Sequence, residues 1–161
     1  MKIIRLGDRY VDVHAPEEQA SVSPGALRSF LNLMREWEVS DADARVLLGR
    51  LTPEEFTQLR SAADGRSLDA TQLKRIATLL GIHRELRLLY GAGIAGEWVQ
   101  LSNAHPMFCR VKPITYMLIG GVQAMTNVLR LLTRRRRAAD DVLPVPVEEE
   151  SLSPQPLPRP D

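Results

Sequence analysis

Three histidines, His14, His83 and His105, and the single cysteine, Cys109, are the side chains of this sequence best suited to nucleophilic or metal chemistry. His105 and Cys109 stand four residues apart, which is half of the ligand set that a zinc site needs. His14 and His83 have no such neighbour in the sequence. No glycine-rich run of the Walker or dinucleotide type is present to cradle a phosphate. The carboxylates lie mostly at expected helix starts, where capping accounts for them. These residues do not assemble a nucleophile, a base and a group to orient it. The chain is therefore read as a non-enzyme, with no cofactor and no metal. The densest charge is Arg134-Arg135-Arg136-Arg137. Such a run is favourable at a helix C-terminus. It can also meet phosphate, either of DNA or of a nucleotide pocket in a partner.

Composition narrows the setting. A chain of 161 residues holds one ordinary domain or two small helical ones. The net charge is +1, but it is unevenly spread: six acids and one base lie beyond Arg137, which leaves 20 bases and 14 acids in residues 1–137. A basic body with an acidic tail permits nucleic-acid contact without requiring it. One cysteine excludes an intrachain disulfide, which fits a reducing cytosol. Met1 to Leu6 is too short for a signal-peptide core, and no run approaches a membrane span. The expectation is a cytoplasmic protein without a membrane partner.

The elements that carry these residues are helical. Lys2–Leu6 and Arg9–Val13 flank Gly7-Asp8 as a β-hairpin that must dock on something to persist. His14 to Val22 reads as linker, and Ser23-Pro24 as the start of a helix buried through Leu27, Phe30, Leu31 and Met34. Ser40 caps a second helix that Gly49 ends, and Thr52 and Glu55 form a capping box for a third. Two short helices joined by a tight turn are the geometry of a helix-turn-helix. Arg50, Thr57, Gln58, Arg60 and Ser61 are its candidate DNA contacts, with Arg66 a further basic residue nearby. Glu54 and Glu55 stand at the start of the presumed recognition helix, where phosphates repel them. Asp64 to Ser67 reads as a loop. Asp69, with Gln72, then caps a long helix with two adjoining apolar stripes, which Gly81 weakens and Gly91-Ala92-Gly93 breaks.

The following stretch contains a short apolar helix at Glu97–Leu101, a polar loop, a helix opened by Pro113 and stopped by Gly121, and a last helix. Val122, Met125, Leu129 and Leu132 are expected to form the apolar face of that last helix. Beyond Ala138, Pro, Ser and Glu dominate, so the tail is expected to be disordered and partly polyproline-like.

Trp98, Leu101, Asn103, Pro106, Phe108, Pro113, Leu118, Gly120, Gly121, Val128 and Leu132 occur in an order that resembles the toxin-binding domain of Xre/MbcA/ParS-type antitoxins. The segment Leu73–Ile82, followed by Leu86–Tyr90, is similar to that family's linking helix. The sequence departs from the pattern at Cys109-Arg110, where the family usually has glycines. The resemblance covers roughly residues 26–135 and implies an Xre-like helix-turn-helix domain over 23–91 and a toxin-binding domain over 92–137; with the arm or hairpin read over 1–22 and the tail, which is not part of the family pattern, over 138–161, the expected fold class is all-α. It implies an antitoxin that binds a RES-domain toxin and obstructs its NAD pocket, represses its own operon through operator DNA, and forms a homodimer. On that reading, Trp98, Leu101, Asn103, Phe108, Pro113, Met125, Leu129 and Arg134 to Arg137 contact the toxin. The alternatives are a stand-alone helix-turn-helix regulator of transcription and a pure interaction module without DNA affinity.

Overall fold

The computed structural model describes residues 2–61 and 67–141. Within them the chain is helical apart from an N-terminal hairpin. Strands β1 (Ile3–Leu6) and β2 (Arg9–Asp12) pair antiparallel in the register Ile3 to Asp12 and Leu6 to Arg9. That register leaves Gly7-Asp8 as a two-residue turn. Gly7 alone takes a positive φ, of 60°, as a type II′ turn requires at its first central position. The hairpin docks as expected. Val11 and Val13 are buried, and the strands lie against α1 (Pro16–Glu36) and α4 (Ala70–Tyr90).

Helix α1 corrects the expected linker. It begins at Pro16, a first-turn proline, followed by Glu17 and Glu18 at the positive end of the helix dipole. The Ser23-Pro24 pair has the chemistry of a cap but lies inside the helix. Pro24 cannot donate to the carbonyl one turn back. Ser23 is buried there; its hydroxyl donates to the Gln19 carbonyl and accepts from the Leu68 N–H at 2.8 Å. The side chain that looks like a start signal is thus a long-range tie between α1 and the entry to α4.

The other expected caps are in place. Ser40 accepts from the Asp43 N–H at 3.2 Å and opens α2 (Asp41–Gly49). Thr52 and Glu55 satisfy each other's backbone N–H groups at the head of α3 (Pro53–Ser61), at 3.1 and 2.9 Å. Asp69 and Gln72 do the same for α4. Helix α2 ends at Gly49, but the left-handed capping residue is Arg50, at φ 60° and ψ 44°. Arg50-Leu51-Thr52 then connects α2 to α3. The Asp64–Arg66 part of the expected loop lies outside the described residues.

Helix α4 is the spine. Leu73, Ile76, Leu79, Ile82 and Leu86 are fully buried, and the helix packs against α1, α2, α5 (Ala92–Trp98) and α6 (Pro113–Asp141). A single hydrophobic cluster runs without a break from Val11 to Leu132. Gly81 is more than a weak point in a helix. A Cβ there would lie 3.3 Å from Leu129 Cδ1, so its bareness lets α6 approach closely.

His83 sits where α4 meets the end of α1. Its Nε2 is 3.5 Å from Glu36 Oε2, and its ring meets Trp37 edge-on at 6.3 Å. Burial pushes its pKa below the ordinary 6.5; Glu36 pulls it up and Arg87 pushes it down, but burial dominates. The folded state thus favours the neutral ring, and below pH 6.5 the unfolded chain binds the extra proton. Stability should be full above about pH 6.5 and decline as pH falls from there towards the depressed folded value. Urea titrations from pH 7.5 to 5 should show this slope, and His83→Leu should flatten it.

Candidate protein-interaction surface

Residues 91–141 build the surface. Gly91 takes φ 83° and turns the chain out of α4. Helix α5 then runs from Ala92 to Trp98, earlier than the expected Glu97–Leu101 helix, because it is anchored by buried Ala95 and Val99. Gly96 explains the placement: a Cβ there would stand 2.9 Å from the Glu36 carbonyl oxygen, so α5 lies directly on the end of α1. Gln100 adds a bond to the Trp37 carbonyl at 2.8 Å.

An aromatic cluster follows. The Phe108 ring is completely buried and meets Tyr116, Trp98 and His105 edge-on, with centroids 5.3, 5.9 and 6.2 Å away. Pro106–Phe108 forms a 3₁₀ turn capped by His105, whose Nδ1 accepts from the Met107 N–H at 3.1 Å. Asn103 supports the same turn, since its Oδ1 accepts from the His105 N–H at 2.9 Å. Cys109 and Arg110 both take positive φ, 49° and 66°. A left-handed conformation costs a residue with a side chain roughly 1–2 kcal/mol. His105 Nδ1 is thus committed to capping and Cys109 is exposed. Among the described residues no three His, Cys, Asp or Glu side chains converge as a metal site.

Both glycines of the α6 pair have a task. Gly121, at φ 63° and ψ −143°, breaks the helix in a conformation reserved for glycine. Gly120 leaves room for the turn that follows, because a Cβ there would come within 2.6 Å of Ala124 Cβ. After the kink, the buried face is Ala124, Met125, Val128 and Leu132, with Leu129 partly buried. Val122 is exposed, contrary to the expected stripe; it is the first residue after the break at Gly121. The helix also continues through Asp141, past the expected start of the tail at 138; the rest of the tail lies outside the described residues.

The candidate toxin-contact residues separate into two groups. Phe108, Pro113 and Met125 are buried, and Leu129 packs on Gly81. They hold the module together and do not present themselves to a partner. Leu101 is 59% exposed, while Trp98 and Asn103 are partly accessible.

The arginine run also divides. Arg136 bonds buried Glu85 of α4 and reaches Asp140 at 3.2 Å; the Glu85 hydrogen bond raises its pKa above the usual value. Arg135 donates to the Tyr90 hydroxyl at 3.2 Å. Arg134 and Arg137 are exposed, and at helical spacing they continue a face begun by exposed Val122 and Arg130. Arg130 was not singled out from sequence; a step of four back from Arg134 would have found it. A cleft of about 220 Å³ lies between His105, Met107 and the Asn127–Arg134 part of this face.

Among the described residues, seven of the nine exposed large apolar side chains fall between positions 88 and 122, with Ile119 the most exposed of them at 75%. The helix-turn-helix candidates Arg50, Thr57, Gln58, Arg60 and Ser61 are exposed as well, and three of them are engaged nearby. Arg60 pairs with Asp41 at 3.2 Å and lies over the Phe56 ring, Thr57 bonds the Pro53 carbonyl, and Ser61 bonds the Gln58 carbonyl. Glu54 and Glu55 stand exposed at the head of α3. No described helix is long and apolar enough to cross a membrane. Comparison with protein-family models, with curated proteins and with solved structures found no match.

Proposed function

We propose that the chain is the antitoxin half of a toxin–antitoxin pair, a cytosolic homodimer that neutralises a RES-domain toxin by covering its NAD pocket. The resemblance of residues 98–132 to the antitoxin family motivates the identity of the partner. The observation that carries the interaction itself is the surface around α6. Exposed Ile119 and Val122 at the kink lead into the exposed cations Arg130, Arg134 and Arg137. An apolar contact beside a row of guanidinium groups suits a protein with an apolar rim around a pocket for an anionic dinucleotide. Autorepression through α2 and α3 belongs to the same reading, although Glu54 and Glu55 work against it.

The test is co-purification of the tagged full chain from its native cells at moderate salt, followed by an NAD-consumption assay on the partner after it is stripped from the complex. One stoichiometric protein that consumes NAD, and is silenced when the chain is restored, is expected. Leu101→Glu combined with Ile119→Arg should weaken its binding at least about a hundredfold, as loss of a central apolar contact does, with the melting temperature unchanged. Recovery of DNA alone would replace the antitoxin with a stand-alone regulator. A protein partner without activity on NAD would leave an interaction module.

A further inference from the structure

A further cleft lies between the hairpin and α4. It holds about 420 Å³, and its apolar floor includes Ile4, Ala77 and Leu129. Three cations line it, Arg5 from β1 and Lys74 and Arg84 from α4, against one acid, Asp8.

These charges are poorly neutralised by the protein. The neighbouring Lys2 side chain holds the Lys74 pKa below the usual value, with partial desolvation and the like charge of Lys2 adding to the effect. Arg84 lies 4.0 Å from Glu85 Oε1, at the limit of an ion pair, and the other Glu85 oxygen is taken by Arg136. Arg5 donates its Nε to the Gly7 carbonyl at 3.1 Å, a neutral acceptor that leaves its charge unpaired by this bond. Gathering like charges around a concavity is unfavourable unless an anion enters.

The geometry points to a binding site for a small organic polyphosphate in this cleft, with Arg5, Lys74 and Arg84 on the phosphates and the apolar floor under its carbon skeleton. Guanidinium forks match phosphate oxygens in pairs, and an ammonium adds a point charge. The volume is that of an ordinary small-molecule pocket. A bound polyphosphate joins the hairpin to α4, so occupancy should stabilise the fold by mass action.

Calorimetric titration of the full chain with inorganic pyrophosphate and with adenosine triphosphate at 0.15 M NaCl tests this, with sulfate at matched ionic strength as control. Saturable one-to-one binding tighter than about 1 mM, with a rising melting temperature, is expected. Lys74→Glu and Arg5→Gln should each weaken it at least about tenfold, in line with the loss of a charge-assisted contact, whereas Arg35→Glu should not. Arg5 lies on the exposed hairpin, so its variant remains informative even if Lys74→Glu perturbs α4. Binding no tighter than sulfate, or weakened equally by Arg35→Glu, overturns the site. Lys74-dependent binding of a short DNA duplex without binding of either polyphosphate also overturns it.

Discussion

Phe108→Ala is expected to lower the free energy of unfolding by about 3–5 kcal/mol, as truncation of a fully buried aromatic ring does. Phe108 has no exposed surface and is edge-on to Trp98, His105 and Tyr116. No neighbour is placed to fill the space, because those three rings come from α5, the capped turn and α6, each tied by its own backbone bonds. Phe108→Leu keeps most of the volume and should recover most of the loss. Chemical denaturation at pH 7.5 measures both. A loss below about 1 kcal/mol for the alanine variant would mean that the module collapses around the gap.

Trp37→Ala is expected to cost as much, about 3–5 kcal/mol, but for a different reason. Its ring is fully buried where α1 ends, its edge faces His83, and its carbonyl holds Gln100 of the C-terminal module. Its Nε1 is buried with no hydrogen-bond partner among the described residues. Trp37→Phe removes that unsatisfied donor along with part of the ring, so its cost should be well below that of alanine. Both alanine variants should melt in one transition followed equally by far-UV and near-UV signals, because one hydrophobic cluster spans Val11 to Leu132. Two separate transitions would show that the two halves fold independently.

The legible parts of this fold were those written in local chemistry. Ser40, the Thr52–Glu55 box, the Asp69–Gln72 box, the Gly7-Asp8 turn and Pro113 each act through residues three or four positions away, and each was found in place. The misreadings came from distance. Ser23-Pro24 carries a start signal, yet the Ser23 hydroxyl answers to Leu68, 45 residues on. Gly96 is required by the carbonyl of Glu36, and Gly81 by the side chain of Leu129; no periodicity announces either contact. Val122 fits the spacing of a buried stripe, but it stands at the start of the segment that follows the Gly121 break and is exposed there. In the candidate site, the aromatic and proline positions were identifiable by type, but whether each faced the core or solvent was not. The arginine run was visible as a block, whereas the helix divides it into two internally bonded members and two outward ones.

Helix α4 gives the chain one further property. It contacts α1, α2 and the hairpin as well as α5 and α6, so opening either half exposes the apolar surface of the other. A protease that needs the opened chain therefore finds it only when this shared spine gives way. A molecule held at either end, at a concentration a hundred times its dissociation constant, reduces the opened fraction about a hundredfold for the whole protein. Occupancy at one end thereby sets the lifetime of the other.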